Sequence, residues 1–426
     1  MSLRRAAGVA AGCITALALA LGTLECGLRV APAAVPTSLL KRFERKVRIE
    51  IAERRGLPNE TQTYVLERDD GGPPLQLFLP NMRVSFDFED TGESGEMQMD
   101  GLGFCNATED DFRREEIQLI AIGDSFTVCH PPKPGVAWPS QLGRKTGMTA
   151  YNLGRGGVGP YEYVQILKRF GLAKHPDVVV LQIYEGNDLR DSIFHQRFRA
   201  ASPRERASFP ERASLASYSV DPASWLANPL GRNSYAYNLA LVGAARGLSK
   251  LKDGLSGERK SNVDFRYRLR FPDGAVEMNV RNTDRDEVQT ALEVRAGTIS
   301  FDAMDGAIDA FAELAARHGF VPVVSYAPSA HSAYAEIVEF ADPALAELLA
   351  AFSEAQRQHL QARTAARGVH FLDLTPAMRS AAREGGAARL LYFPINIHFT
   401  PEGHELVASI VAEELARLGT LRASAN

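Results

Sequence analysis

The stretch that most constrains this chain runs from Ile117 to Thr127. Ile117, Leu119, Ile120, Ala121 and Ile122 form an almost wholly apolar run behind the charges Arg114, Glu115 and Glu116, so it reads as a buried strand. Gly123-Asp124-Ser125 ends that strand. Glycine permits a sharp turn and close backbone approach. A serine placed there shows its hydroxyl at the carboxyl end of a parallel sheet, the edge where open α/β sheets put their ligands. Ser125 is therefore a candidate nucleophile. The alternative is a turn in which Asp124 or Ser125 only caps the segment that follows.

The rest of the chain alternates in the α/β manner. A short strand around Ala150-Tyr151-Asn152 leads into the glycine-rich run Gly154-Arg155-Gly156-Gly157-Val158-Gly159, then a helical segment over 161–173. Asp177 to Tyr184 is a second buried strand and ends in Glu185-Gly186-Asn187-Asp188. From Leu189 to about Ile299 the rhythm lapses, apart from a hairpin predicted at 265–280 around Pro272-Asp273-Gly274, so residues 190–299 read as an insertion. Helix, strand, helix and strand then follow over 301–318, 320–326, 343–366 and 369–374. A loop from Tyr392 to Pro401 carries His398 into a last helix over 402–418. Ser125, Gly157 and Asn187 each follow a predicted strand and His398 precedes the closing helix, so all four can converge on one sheet edge. The chemistry needs these types. A serine hydroxyl requires an adjacent base, usually histidine, and the oxyanion it creates requires donors such as a backbone N–H freed by glycine or an Asn amide.

These blocks resemble the SGNH (GDSL-type) serine hydrolases. Gly123-Asp124-Ser125, Asn152-Leu153-Gly154-Arg155-Gly156-Gly157, Gly186-Asn187-Asp188 and His398 with Pro401 and Gly403 match the four family blocks in order. The resemblance implies an α/β fold, a three-layer α/β/α sandwich with a mainly parallel, flavodoxin-like central sheet. It implies Ser125 as nucleophile, His398 as base, and Ser125, Gly157 and Asn187 as the oxyanion hole. No metal or other cofactor is implied. The family aspartate that orients the imidazole is absent, because Ile395 and Asn396 stand two or three residues before His398. Either Asn396 orients the histidine, as an Asn does in Cys-His-Asn proteases, or Ser125 and His398 act as a dyad, or catalysis is lost. No Gly-x-Ser-x-Gly elbow is present, which disfavours the α/β-hydrolase alternative. Trp138 and Tyr184 read as core aromatics, His404 as a surface helical residue, and Glu402 as a charge favouring a helix N-terminus.

Bulk properties narrow the partners. A net charge of −4 gives no case for nucleic acid. The four cysteines lack metal-ligand spacing, and Cys105 and Cys129 bracket the first strand closely enough to suggest a disulfide. Ala6 to Leu24 carries no charge and follows Arg4 and Arg5. It is long enough to cross a bilayer, which takes about 20 apolar residues. We expect a signal anchor, with a signal peptide cleaved near Ala31-Pro32-Ala33 as the rival. Lys41, Arg42, Arg45, Lys46 and Arg48 lie beyond it, on a membrane-surface helix or a solvated stalk. The positive-inside rule would hold them in the cytoplasm, but the leading arginines favour an exported main domain.

The expected organisation is an anchor or signal at 1–30, a stalk and lead-in at 31–99, and the SGNH domain at 100–420. The expected location is membrane-anchored and extracytoplasmic, periplasmic or at the cell surface, or secreted if the segment is cleaved. The expected partner is an ester-bearing small molecule or glycan. The resemblance implies hydrolysis of an O-acyl ester, with O-acetyl as the expected acyl group, of an envelope or polysaccharide substrate. Acyl transfer on the same fold and a non-catalytic envelope-binding scaffold are the alternatives.

Overall fold

A computed structural model describes residues 3–35, 40, 43, 45–55, 63–66, 68–106, 117–129, 133–206, 233–244, 264–282 and 285–420. The chain divides into two units: Met1–Thr63 with Pro203–Glu211 and Leu215–Lys260, and Tyr64–Ser202 with Arg212–Ser214 and Ser261–Asn426.

In the first unit, α1 (Leu3–Val30) and α2 (Arg45–Arg54) are joined by a helical stretch at 235–244. Leu28, Val35, Val47, Ile51 and Tyr235 form its apolar cluster. The Glu25 carboxylate accepts hydrogen bonds from Ser234 Oγ and the Ala236 N–H, both at 2.8 Å. The Arg29 guanidinium lies 4.7 Å over the Tyr235 ring. The uncharged run predicted as a signal anchor thus continues into a charged helix end that is hydrogen-bonded within this unit. Among the described residues no helix is long and apolar enough to cross a membrane, so the fold lends the anchor no support. Lys41 and Arg42 lie outside the described residues.

The second unit is built on a sheet of five parallel strands. The lead-in supplies β1 (Thr63–Leu66), β2 (Leu75–Phe78), β3 (Arg83–Phe88) and β4 (Glu93–Gln98) in two small sheets outside it. The central strands are β5 (Leu119–Ile122), β6 (Ala150–Asn152), β7 (Val178–Tyr184), β10 (Val321–Ala327) and β12 (His370–Asp373), in the order β12-β10-β7-β5-β6. Ile120 stands between Tyr151 and Val179, and Val324 between Leu181 and Phe371. Every residue of β5 and β7 is buried, as continuous apolar runs require when helices cover both faces.

The longer helices are α3 (Trp138–Thr146), α4 (Pro160–Ile166), α5 (Asp188–Ala200), α6 (Arg285–Arg295), α7 (Asp305–His318), α8 (Pro343–Ala366), α9 (Thr375–Gly385) and α10 (Pro401–Arg417). Right-handed crossovers place α3 on one face and α4, α7 and α8 on the other, and α10 packs against α3. The chain steps outward from β5 to β6 and then back across to β7. The carboxyl ends of β5 and β7 therefore flank the switch point where such sheets bind ligands.

Within the insertion, the predicted hairpin forms as β8 (Tyr267–Phe271) and β9 (Gly274–Met278), with β11 (Val338–Phe340) on the other side of β8. Residues 207–232 and 245–263 lie outside the described residues.

The residues just after the lead-in complete the edge strand β6. Asn106 Oδ1 accepts the Asn152 N–H at 2.8 Å while its Nδ2 donates to the Asn152 carbonyl at 3.1 Å. An amide side chain thus satisfies backbone groups that an edge strand otherwise leaves open. Asp100 braces it, accepting from Asn106 Nδ2 at 2.9 Å and from the Tyr151 hydroxyl at 2.6 Å. Cys105 and Cys129 are disulfide-bonded with Cα atoms 5.9 Å apart, as their spacing suggested.

Candidate active site

The turn after β5 is shaped by Asp124 and two glycines. Asp124 Oδ1 accepts the Phe126 N–H at 2.8 Å, and its carbonyl accepts the Val128 N–H at 3.0 Å. A Cβ on Gly123 would meet Thr127 Oγ1 at 2.2 Å, and one on Gly154 would meet the Val128 nitrogen at 2.6 Å. Both positions therefore exclude any side chain, and the second block packs directly on the first. Asn152 Nδ2 donates to the Thr127 carbonyl at 2.9 Å, and the Arg155 N–H to the Gly123 carbonyl at 2.9 Å. Ser125 is left half-buried at the surface of this turn.

His398 reaches that serine from a loop 273 residues away, with Nε2 2.8 Å from Ser125 Oγ. Its other ring nitrogen faces two oxygens of Asn396: Oδ1 at 2.5 Å and the backbone carbonyl at 3.1 Å. Two acceptors at Nδ1 require the proton to sit there, which leaves Nε2 as the acceptor facing the serine hydroxyl. The three residues form one hydrogen-bonded chain. Phe126 stacks on the imidazole with centroids 4.7 Å apart and on Tyr184 at 3.8 Å.

The histidine loop is strained. Ile397 has φ +55°, a left-handed conformation that costs an L-residue about 1–2 kcal/mol and is rare for a β-branched one. Its neighbours hold it there. The Ile397 N–H donates to the Phe393 carbonyl at 2.9 Å, and the Phe393 N–H to the His398 carbonyl at 2.8 Å. The Asp90 carboxylate, from the turn between β3 and β4, accepts the N–H groups of Ile395 at 2.7 Å and Asn396 at 3.0 Å. Burial raises its pKa.

The expected oxyanion donors lie on the adjoining loops. Gly157 has φ +71°. Next to it the Gly159 N–H is held by Glu162 Oε2 at 3.1 Å, and Glu162 pairs with the buried Arg68 of the lead-in. Arg68 also binds Asp70 and lies 3.0 Å from His195 Nδ1 on α5, so it joins the glycine loop to the helix that follows Asn187. Asn187 begins α5, but its side chain does not cap it. Its Nδ2 donates to Asp191 Oδ2 at 2.9 Å. Gly157 and Asp191 share a cavity of about 10 Å³ with Pro73, Pro74, Val158 and Phe194. Burial, and then the Asp191 charge, pushes Asp124 up to about 7. Burial and then the Asp124 charge also raise Asp188, which accepts from the Tyr163 hydroxyl at 2.6 Å and the Tyr184 N–H at 2.8 Å.

The sequence reading missed three contributors. Asp90 and Phe126 carried no signal beyond a turn and an aromatic, while Asp191 sits four residues after Asn187, the spacing of neighbours on a helix face. Trp138 and Tyr184 are buried, as expected of core aromatics. His404 is not a surface residue: it is fully buried, and its Nδ1 accepts the Trp138 N–H at 3.2 Å. It shares the spacing of Val407, Ala408, Val411 and Leu415, the face of α10 turned to the core. Glu402 is exposed in the first turn of α10, where Thr400 Oγ1 caps the helix by accepting the Gly403 N–H at 3.1 Å. Elsewhere, Asp302, Asp305 and His359 bring ligand-type atoms within 4.8 Å of one another. Asp305 is already engaged there by His359 at 2.7 Å and Arg363 at 3.4 Å.

Among solved structures, the chain is similar to a protein placed in the lipolytic G-D-S-L family from Desulfitobacterium hafniense DCB-2 (12% identity, 70% of this chain and 99% of that chain, TM-score 0.34). It is also similar to the acetyl xylan esterase AlAXEase (12% identity, 70% and 100%, TM-score 0.34). A third is LAE5, an alpha/beta hydrolase enzyme from the metagenome of Lake Arreo, Spain (13% identity, 72% and 97%, TM-score 0.33). No curated protein sequence matches. The sequence profile of the GDSL-like lipase/acylhydrolase family matches residues 121–406, which take in Ser125, Gly157, Asn187, Asn396 and His398. The chain belongs to that family and is a carboxylic ester hydrolase.

Proposed function

We propose that Ser125 is the nucleophile of an O-acyl esterase whose base is His398 and whose orienting group is Asn396. The hydrogen-bonded chain from Ser125 Oγ through both imidazole nitrogens to Asn396 Oδ1 carries this reading. As the serine attacks an ester carbonyl, Nε2 takes its proton and later returns it to the leaving alcohol. The N–H groups of Ser125 and Gly157 and the Asn187 amide receive the oxyanion. The disulfide between Cys105 and Cys129 favours an oxidising compartment, and an exported enzyme acting on a small O-acyl group, such as acetyl, of an envelope glycan fits that setting. Attachment to a membrane rests only on the uncharged run Ala6–Leu24.

The test is a fluorophosphonate probe and an aryl-ester series on the full chain. Wild type should be labelled and should cleave acetate esters faster than longer acyl esters, and Ser125→Ala should lose both. An unlabelled wild type would point to a degenerate binding scaffold. Equal turnover of acetate and octanoate would remove the small-acyl assignment. Adding a sugar acceptor and analysing products separates hydrolysis from acyl transfer.

A further inference from the structure

The histidine loop is gripped by a carboxylate lying 305 residues upstream of Ile395, outside the residues matched to the family. Asp90 accepts the backbone N–H groups of both Ile395 and Asn396. A carboxylate can accept two such bonds at once, and a charged acceptor makes each stronger than a neutral one would. The hairpin that carries Asp90 is itself fixed to the loop, since the Phe88 ring meets Phe393 edge-on with centroids 4.8 Å apart. The next residue after the gripped pair is Ile397, held in the left-handed region. A β-branched residue stays there only when its surroundings over-determine the backbone. If the loop relaxed at Ile397, the side chains on either side of it, Asn396 and His398, would turn relative to each other and their 2.5 Å contact would open.

We infer that Asp90 is the positioning residue of the catalytic histidine: it fixes the backbone of Ile395 and Asn396 so that Asn396 Oδ1 meets His398 Nδ1. It does not touch the reacting atoms. In this chain the task that a single carboxylate performs elsewhere is divided. Asn396 supplies the acceptor, and Asp90 supplies the rigidity from a separate element. This inference rests on the reading of Ser125 and His398 as nucleophile and base.

The experiment is a double-mutant cycle on the full chain with an aryl acetate substrate: wild type, Asp90→Ala, Asn396→Ala and the pair. Because Asp90 acts through Asn396, Asp90→Ala should lower kcat about tenfold with KM within about twofold, and the pair should be no slower than about twice the Asn396→Ala variant. Asp90→Asn keeps one oxygen acceptor and should fall between wild type and Asp90→Ala. It also serves if Asp90→Ala does not fold. Wild-type kcat in Asp90→Ala, or losses that multiply in the pair, would overturn the inference. The His398 Nδ1–H proton resonance supplies a readout independent of turnover. It should lie downfield in wild type and move upfield in Asp90→Asn, and an unmoved resonance overturns the inference too. If wild type cleaves no ester and takes no phosphonate, the esterase reading has failed, and this resonance still decides whether Asp90 positions the histidine.

Discussion

Asn396 stands where the family resemblance implies an aspartate, and the structure sets the size of the effect of removing it. Two oxygens of the same residue face His398 Nδ1, the side-chain Oδ1 at 2.5 Å and the backbone carbonyl at 3.1 Å. Asn396→Ala deletes only the first. The backbone carbonyl still holds the proton on Nδ1, so the tautomer survives and Nε2 remains the base. The loss is then that of one hydrogen bond to a group that becomes charged, about 1.5 kcal/mol, or about tenfold in kcat. In a serine-protease triad, exchange of the aspartate for asparagine costs about 10⁴ because the tautomer is wrong. Asn396→Asp should keep or raise kcat and shift the acidic limb of kcat/KM to higher pH, because a carboxylate beside Nδ1 favours the imidazolium. The assay is kcat and kcat/KM for an aryl acetate from pH 5 to 9, with the thermal midpoint measured alongside. A loss of about 10³ or more in Asn396→Ala would show that the backbone carbonyl does not hold the proton in the working enzyme. Wild-type kcat would reduce the system to a Ser125–His398 dyad.

Three further outcomes are expected. Asn187→Ala should lower kcat by about 10²–10³ with KM little changed, as loss of one oxyanion donor does; steady-state kinetics showing a change in KM alone would place the amide in substrate binding. Asp124, raised from 3.8 to about 7, holds its proton more tightly in the folded than in the unfolded state, so stability should fall as pH rises through that interval and stay low above it. Asp124→Asn cannot ionise, and should melt higher than wild type at pH 8 with the advantage gone by pH 4; parallel melting curves would refute the raised carboxyl. The disulfide closes a loop with a sequence separation of 24, which constrains the unfolded chain by about 3.5 kcal/mol in the chain-entropy picture. The double substitution Cys105→Ser with Cys129→Ser should lower the thermal midpoint accordingly, and thiol titration of native protein should find neither cysteine.

The sequence revealed the elements that follow from local pattern. Continuous apolar runs at 117–122 and 177–184 could only be buried strands, and each ends in a polar turn whose residues then meet at the sheet edge. Contacts set by distant segments were not legible. Asp90-Thr91-Gly92 has the composition of any hairpin turn, and nothing in it points to a backbone more than 300 residues later. His404 was legible and misread: its spacing from Val407, Ala408 and Val411 marks the buried face of α10, whereas a lone histidine beside two glutamates suggests solvent. The N-terminal run satisfied a length rule for a bilayer span, but Glu25 and Arg29 continue the same helix into polar contacts that the rule does not weigh.

The tethers upstream of residue 121 have a consequence for dividing this protein into parts. The match to the family begins at residue 121, yet Arg68, Asp90, Asn106 and Cys105 hold the glycine loop, the histidine loop, the edge strand and the serine turn from upstream. A fragment cut at residue 121 would contain every motif residue and lose all four restraints. It would be complete as a signature and unfinished as a machine. A chimaera that exchanges the catalytic region with that of a relative should therefore carry residues 68–106 along with it, because the interchangeable part begins with this clasp and not with the first recognisable block.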